Sequence, residues 1–346
     1  MKKINVAIIG YGLSGRVFHA SILKTMDYFK IKYVLTSNPT RIKQARKDLK
    51  DTIIASHLAD ILSDDSIDLI IISTPNTSHY DLCAAAIKAG KSVIIEKPFT
   101  LTTHDALRLI DLEHDNPGFI SVYHNRRFDG DFLTVKQIVN EEKLGRLVEF
   151  ESHFDRFRNT FKENAWREKD LPGSGVLFDL GPHLIDQALD LFGLPQEVYA
   201  DISDQRRGPV DDAFEIILYY TELKVTLKAG MLVKEALPRF ILHGTNGSFV
   251  KYGMDVQEDQ LKDGILPDQE LYGLDNKDNW GIINTNERQN IETIKGDYSI
   301  YYHNIYQALT QSKSLLIDST DGFNTMRVLE AALHSNKLHQ RIKFKH

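Results

Sequence analysis

The residues of this chain that are able to do chemistry fall in a few short stretches. The first is Gly10-Tyr11-Gly12-Leu13-Ser14-Gly15, three glycines in GxGxxG order. An isoleucine-rich run at residues 4–9 precedes it, and apolar Val17, Phe18, Ile22 and Leu23 follow at helical spacing. In a strand–turn–helix of this kind Gly10 permits the tight turn and Gly12 lets the backbone approach a pyrophosphate. Gly15 lets the helix pack close to the sheet. The start of the helix then offers unpaired N–H groups to the phosphates. All six residues are expected at a bound dinucleotide, although a purely structural glycine turn would share the spacing.

Thr36-Ser37-Asn38-Pro39-Thr40-Arg41 ends the next strand-like run and bears on which dinucleotide is bound. A carboxylate there would hold the adenosine ribose hydroxyls and select NAD. Hydroxyls from Thr36 and Ser37 with Arg41 nearby suit a 2′-phosphate, so NADP is the expected cofactor and NAD the second choice. The alternative is that Thr36 and Ser37 serve as caps of the following helix.

Ser73-Thr74-Pro75-Asn76-Thr77-Ser78-His79 follows another apolar run, where small polar residues and a proline shape the ligand crevice of an open α/β sheet. Ser73, Thr74, Pro75, Asn76 and His79 are candidate cofactor contacts, and a helix-initiating turn capped by Thr77 or Ser78 is compatible with that role. Glu96-Lys97-Pro98 ends the run Val93-Ile94-Ile95, with Lys97 held by the proline. A lysine fixed beside a nicotinamide can hydrogen-bond the reacting oxygen and lower the hydroxyl pKa. The plain alternative is a solvated lysine.

Asp179 and His183 stand four apart, on one face if the segment is helical. A proline such as Pro182 is tolerated in the first turn of a helix, which places the helix start near Asp179. Asp179 is then open to a second reading as an N-cap, and His183 to one as a satisfied buried histidine. Histidine is nonetheless the natural proton acceptor near neutral pH, and Asp186 could orient its ring. The thirteen histidines are scattered and no HExxH or CxxC occurs, so no metal site is expected. No serine nucleophile elbow is evident either.

The elements that must position these residues change character along the chain. Up to about residue 125, strand-like runs at 4–9, 33–36, 69–74, 92–96 and 119–124 alternate with helical patterns at 15–28, 39–49, 79–89 and 103–114. That alternation, with unbroken apolar runs, predicts a doubly wound parallel sheet, an α/β Rossmann domain. Beyond it a helix is expected at 129–142. Residues 147–157 then alternate, with Val148, Phe150 and Phe154 on one face and Glu149, Glu151, His153 and Asp155 on a wetter one. A helix is expected to run to Phe192, followed by strands at 198–203, 213–220, 223–231 and 239–243. Residues 253–295 read as polar loops, and helices near 298–311 and 321–338 precede a short last strand at 341–344. The expected division is 1–122 for dinucleotide binding and 123–346 for substrate binding and oligomerisation.

Bulk properties set the frame. With 42 basic and 48 acidic residues the net charge is −6, which argues against nucleic acid or an anionic membrane as partner. One cysteine, Cys83, rules out an intrachain disulfide framework and fits a reducing compartment. There is no signal-peptide pattern and no run of ~18 apolar residues, so the expected location is the cytoplasm, without a membrane span.

With the glycine motif, Glu-Lys-Pro and Asp-x-x-x-His in that order, the chain resembles the glucose–fructose oxidoreductase / inositol dehydrogenase family (Gfo/Idh/MocA). The likeness covers essentially the whole length. Residues 10–20, 123–134, 151–158, 179–188 and 238–258 are similar to the family's NADP-dependent inositol dehydrogenases. Ser21, where a proline is common, and Phe128, where a tryptophan is common, depart from the pattern away from the presumed chemistry.

The resemblance implies a Rossmann domain followed by an α+β domain with an open-faced, mainly antiparallel sheet, and an active site between them. It implies that Lys97, Asp179 and His183 are the catalytic residues. Asn125 would meet nicotinamide and substrate, Trp166 and Arg167 would reach the cofactor, and His153 and Arg158 would project towards substrate. Glu96 and Lys97 would also touch the cofactor, and Lys97, Asp179 and His183 the substrate. The expected reaction is hydride transfer between NADP and a ring secondary alcohol of a cyclitol, scyllo-inositol to its 2-ketone, or of a related sugar. The expected assembly is a dimer or tetramer. A non-enzymatic NAD(P)-binding sugar sensor is the rival reading; the intact Lys97, Asp179 and His183 speak against it.

Overall fold

Six short apolar segments build a parallel sheet: β1 (Ile4–Ile9), β2 (Phe29–Leu35), β3 (Ile53–Ala55), β4 (Leu69–Ile72), β5 (Ser92–Ile95) and β6 (Ile120–Val122). The structure, a computed structural model, describes residues 2–162 and 165–344. The strand order is β3-β2-β1-β4-β5-β6 and every pairing is parallel. β4 and β5 are buried at every position, which is why they read as unbroken apolar runs rather than alternations. The chain steps outward from β1 through β2 and β3, then returns to lay β4 on the other side of β1. Ligands of such sheets bind outside the carboxyl ends of the strands at that reversal. Gly10, Thr36, Ser73, Glu96 and Asn125 all follow strand ends on that side.

The helix after the glycine turn is shorter than its spacing predicts. It opens as a π-helical segment, Ser14–Ala20, ends as α-helix at Leu23, and gives way to a turn that buries Met26. The buried methionine mimics a further helical turn. β2 accordingly starts at Phe29, its Lys30 and Lys32 masking the strand character of Phe29 and Ile31. β3 and the helix Leu58–Leu62 are also additions, too short to carry a period.

A second sheet contains β7 (Leu147–His153), β8 (Glu197–Ser203), β9 (Ala213–Tyr219), β10 (Lys224–Gly230), β11 (Phe240–Gly244), β12 (Gly247–Lys251), β13 (Gly281–Asn284), β14 (Arg288–Ile291) and β15 (Ile342–Lys343). Its order is β14-β13-β12-β11-β7-β10-β9-β8-β15, and only β7 with β10 is parallel among its pairings. Register puts Phe150, Val225, Leu218 and Leu242 on one buried face, against which helix Gly175–Phe192 packs. The other face carries half-exposed charges in the cross-strand pairs Lys224–Glu149 and Lys228–Glu215.

Two expectations for this region need correction. Residues 253–295 are not all loop, since helix Gln257–Lys262, β13 and β14 lie within them. Their polar sequence is offset by specific pairing: fully buried Lys251 on β12 donates to Asp275 at 2.7 Å and to the Asn279 carbonyl at 2.7 Å. The helix carrying Asp179 begins at Gly175, so Pro182 lies about two turns inside it. Pro182 forgoes one backbone hydrogen bond there, within a stretch from Leu180 to Ala188 that is buried throughout.

By contacts the chain forms two compact units. One comprises the chain through Asn125 with residues 257–272 and 297–323; the other comprises 126–256, 273–296 and the chain from Asn324. No helix among the described residues is long and apolar enough to cross a membrane.

Candidate active site

In the first unit the glycine motif is fitted to its neighbours atom by atom. Gly10 has φ +94°, and a Cβ there would stand 2.5 Å from the Ser73 carbonyl oxygen. A Cβ on Gly15 would stand 2.2 Å from the Gly10 oxygen and 2.7 Å from Ser73 Oγ. Ser73 Oγ donates to the Gly10 carbonyl at 2.8 Å, so Ser73 clamps the turn rather than facing away from it. Gly12 is different: a Cβ would meet only the Arg41 guanidinium, at 3.6 Å. The loop therefore has a cation beside Gly12, and this arrangement fits a dinucleotide pyrophosphate or ribose phosphate.

Asn38, not Thr36 or Ser37, caps the helix Pro39–Asp48, accepting from Thr40 N at 3.0 Å and Arg41 N at 3.2 Å. The two hydroxyls stand outside the cap. Tyr11 turns inward and donates to Asp48 at 3.2 Å, and burial pushes its pKa up, with Asp48 adding to the effect. Leu13 is the exposed residue of the loop.

Around Lys97 the neighbours are mutually braced. Ser14 Oγ donates to Glu96 Oε1, and the Lys97 N–H donates to Glu96 Oε2 at 3.2 Å. Lys97 itself is half-buried, and its bond to Pro98 is cis. His79 is fully buried, with Nδ1 2.9 Å from the Pro98 carbonyl and Nε2 3.1 Å from the Thr74 carbonyl. Burial lowers its pKa, against the pull of those carbonyls. Both ring nitrogens are engaged in tying the β4 and β5 loops together. Ser78 closes the intervening turn on Thr74 Oγ1 and the Pro75 carbonyl, at 2.7 and 2.8 Å, instead of capping the next helix. Asn76 and Asn125 are both buried.

In the second unit Arg158, Trp166, Arg167 and Asp179 line one cavity of about 170 Å³. Arg167 Nε lies 3.0 Å from Asp179 Oδ1, and its guanidinium lies 4.8 Å from the Trp166 ring. Arg158 Nη2 donates to Glu168 at 2.6 Å. The helix start at Gly175 removes Asp179 from any N-cap role, and Asp211 takes that role, accepting from Leu177 N at 2.6 Å. A Cβ on Gly175, at φ +87°, would stand 2.0 Å from Asp211 Oδ1, so this residue must be glycine. Burial drives the Asp211 carboxyl up to about 6, with the backbone N–H groups opposing.

His183 is buried on the same helix. Asp186, one turn on, accepts from Arg127 with both carboxylate oxygens, at 2.9 and 2.7 Å. His153 is buried rather than on a wet face, with Nδ1 3.1 Å from Asp155 and Nε2 3.2 Å from Glu151. Burial works against its protonation, but the two carboxylates raise its pKa. It is absent from the cavity lining that Arg158 shares with Asp179.

Arg156, Arg206 and Asp211 also line that cavity and were not singled out from sequence. The Asp211-Asp212 pair before a strand is a weak signal of a cap; for Arg206, paired with Asp212 at 2.7 Å, no sequence signal exists. Among the described residues no cluster of His, Cys, Asp and Glu is arranged to hold a metal.

Comparison with known proteins agrees with this architecture. Residues 4–124 match the model of the oxidoreductase family NAD-binding Rossmann fold (GFO_IDH_MocA), and residues 136–344 match the family's C-terminal alpha/beta domain. The chain is 36% identical over 349 residues to the scyllo-inositol 2-dehydrogenase (NADP(+)) IolW of Bacillus subtilis, covering 99% of this chain and 96% of that one. It is 38% identical over 340 residues to the uncharacterized Escherichia coli oxidoreductase YdgJ, covering 96% of each. The solved structure of Bacillus subtilis yvaA superimposes with a TM-score of 0.95 at 35% identity, covering 99% of each chain.

Proposed function

Because the chain belongs to the Gfo/Idh/MocA oxidoreductase family, we propose that it is an NADP-dependent dehydrogenase of a ring secondary alcohol, with scyllo-inositol, oxidised to its 2-ketone, as first choice and an aldose or other polyol second. The observation that carries this reading is near-full-length similarity to an NADP-dependent scyllo-inositol dehydrogenase in a chain that keeps Lys97, Asp179 and His183.

NADP is favoured over NAD by the absence of a carboxylate at the end of β2, by the Thr36 and Ser37 hydroxyls left outside the helix cap, and by the Arg41 guanidinium beside Gly12. When bound, NADP supplies the two-electron acceptor. The chain's own residues do the rest. His183 takes the hydroxyl proton on its imidazole. The Lys97 ammonium stabilises the alkoxide as charge develops on oxygen. Asp179 holds a neighbouring hydroxyl and fixes the ring's orientation, and to do so it exchanges the Arg167 partner seen at 3.0 Å for substrate.

The test is a panel of cyclitols and aldoses with NADP and NAD, followed by absorbance of the reduced cofactor. Turnover of any member supports a dehydrogenase. Cofactor and sugar binding with no turnover would instead make the protein a sensor.

A further inference from the structure

His19 has no role in the chemistry above, yet it is fully buried on the helix that follows the glycine motif, beside a carboxylate and a tyrosine hydroxyl. Its Nε2 lies 3.2 Å from Glu96 Oε1, and its Nδ1 lies 2.6 Å from the Tyr302 hydroxyl. Tyr302 in turn donates to the Phe18 carbonyl at 3.1 Å, and the His19 ring packs on Tyr123 with centroids 4.5 Å apart. Glu96 is the point where these bonds converge. The oxygen that faces His19 also accepts from Ser14 of the glycine motif, and its other oxygen accepts from the Lys97 N–H.

We propose that His19 is a positioning residue of the reaction: buried itself, it forms with the part-buried Glu96 a pair that locks the glycine-rich loop to the strand end carrying Lys97. The inference rests on the reading that Lys97 acts at the reacting oxygen.

An ionised carboxylate taken out of water needs a partner. Facing Glu96 are His19 and Ser14 from the motif helix, Lys97 from its own strand end, His79 from the helix after β4, Tyr123 after β6, and Tyr301 and Tyr302 from the helix Ser299–Gln311. Burial pushes the Glu96 pKa up, but the hydrogen bond and charge of His19, then Ser14 and Lys97, carry it down to about 2. Without His19 the largest of those opposing influences is gone, and the carboxyl protonates at a higher pH. Protonation weakens its hold on Ser14 and on the Lys97 backbone together. A small misplacement of a reacting group costs up to about 10²-fold in rate.

The experiment uses the full chain with His19→Phe, which keeps an aromatic ring and removes the hydrogen bonds, and His19→Gln, whose amide can donate to Glu96. The expected result for His19→Phe is a kcat lower by about 10- to 100-fold and an acid limb moved to higher pH in both kcat and NADPH affinity. His19→Gln recovers most of both. A His19→Phe enzyme with unchanged turnover and a wild-type pH profile overturns the proposal, as does a His19→Gln enzyme no better than His19→Phe. Should His19→Phe fail to fold, Tyr302→Phe strips one hydroxyl from the far side of the ring. A shift of the acid limb in the same direction then supports the pair, and none overturns it. NADPH affinity is read by cofactor fluorescence without substrate, so it judges the pair even if the wild type turns over no cyclitol or sugar, a result that counts against the functional reading alone.

Discussion

At the scale of single residues, the chemistry assigned to Lys97 and His183 has a definite kinetic signature. Removing a positioned acid–base group typically lowers the rate by about 10²–10⁴. Lys97→Ala and His183→Ala are each expected in that range while still binding NADP, and the double variant should lose less than the product of the two. Near wild-type turnover of His183→Ala at neutral pH would move the general base elsewhere, to Lys97 first. Ser37 carries the cofactor choice: Ser37→Asp places a carboxylate where a 2′-phosphate is expected, and the ratio of kcat/KM for NADP over NAD should fall. A wild-type preference for NAD in the same assay would refute the reading of that loop. These candidates stand out in the sequence because local pattern confines them, by a proline or a strand end. His19 and Asp211 do not, because their meaning lies in Glu96, 77 residues away, and in Leu177, 34 residues away.

At the scale of elements, helix Gly175–Phe192 carries both Asp179 and His183, and carboxylates at its start and along its length help to hold it. Its amino end is capped by Asp211, whose pKa is lifted from 3.8 to about 6. The folded chain thus binds this proton more tightly than the unfolded chain, so Asp211's contribution to stability is full below about pH 4 and is lost as pH rises through about 6. Melting curves from pH 4 to 7 should show wild type losing ground against Asp211→Asn as pH rises; a constant gap would contradict the assignment. Further along, Asp186 holds buried Arg127 by two hydrogen bonds, while Asp190 lies 3.5 Å from the same arginine. Breaking a buried pair costs about 3–5 kcal/mol, and the remaining Asp190 puts Asp186→Ala near the lower figure in chemical denaturation. A change within about 0.5 kcal/mol, the range of an ordinary surface substitution, would show that the pair is not a structural tie. The helix itself was legible from its apolar spacing, but its start was not. Pro182 argued for a first turn at Asp179, and the Gly173-Ser174-Gly175 stretch hid the true start.

At the scale of the whole molecule, the sequence shows a doubly wound parallel domain followed by a largely antiparallel one, because each class imposes a period. Buried parallel strands such as β4 and β5 are apolar throughout, and β7 alternates. What the periods do not carry is the return of residues 257–272 and 297–323 to the first unit, since segment assignment depends on long-range contacts such as Ser121 Oγ with the Tyr301 hydroxyl, 2.7 Å apart and 180 residues separated. The proposed function makes this chain an NADP-dependent cyclitol dehydrogenase. The measurement that tests it most directly is kcat/KM with NADP for scyllo-inositol beside myo-inositol and glucose. The expected result is a preference for scyllo-inositol, or for its ketone in the reverse direction with NADPH. An aldose preferred by more than about tenfold, ~1.4 kcal/mol of transition-state discrimination, would contradict it.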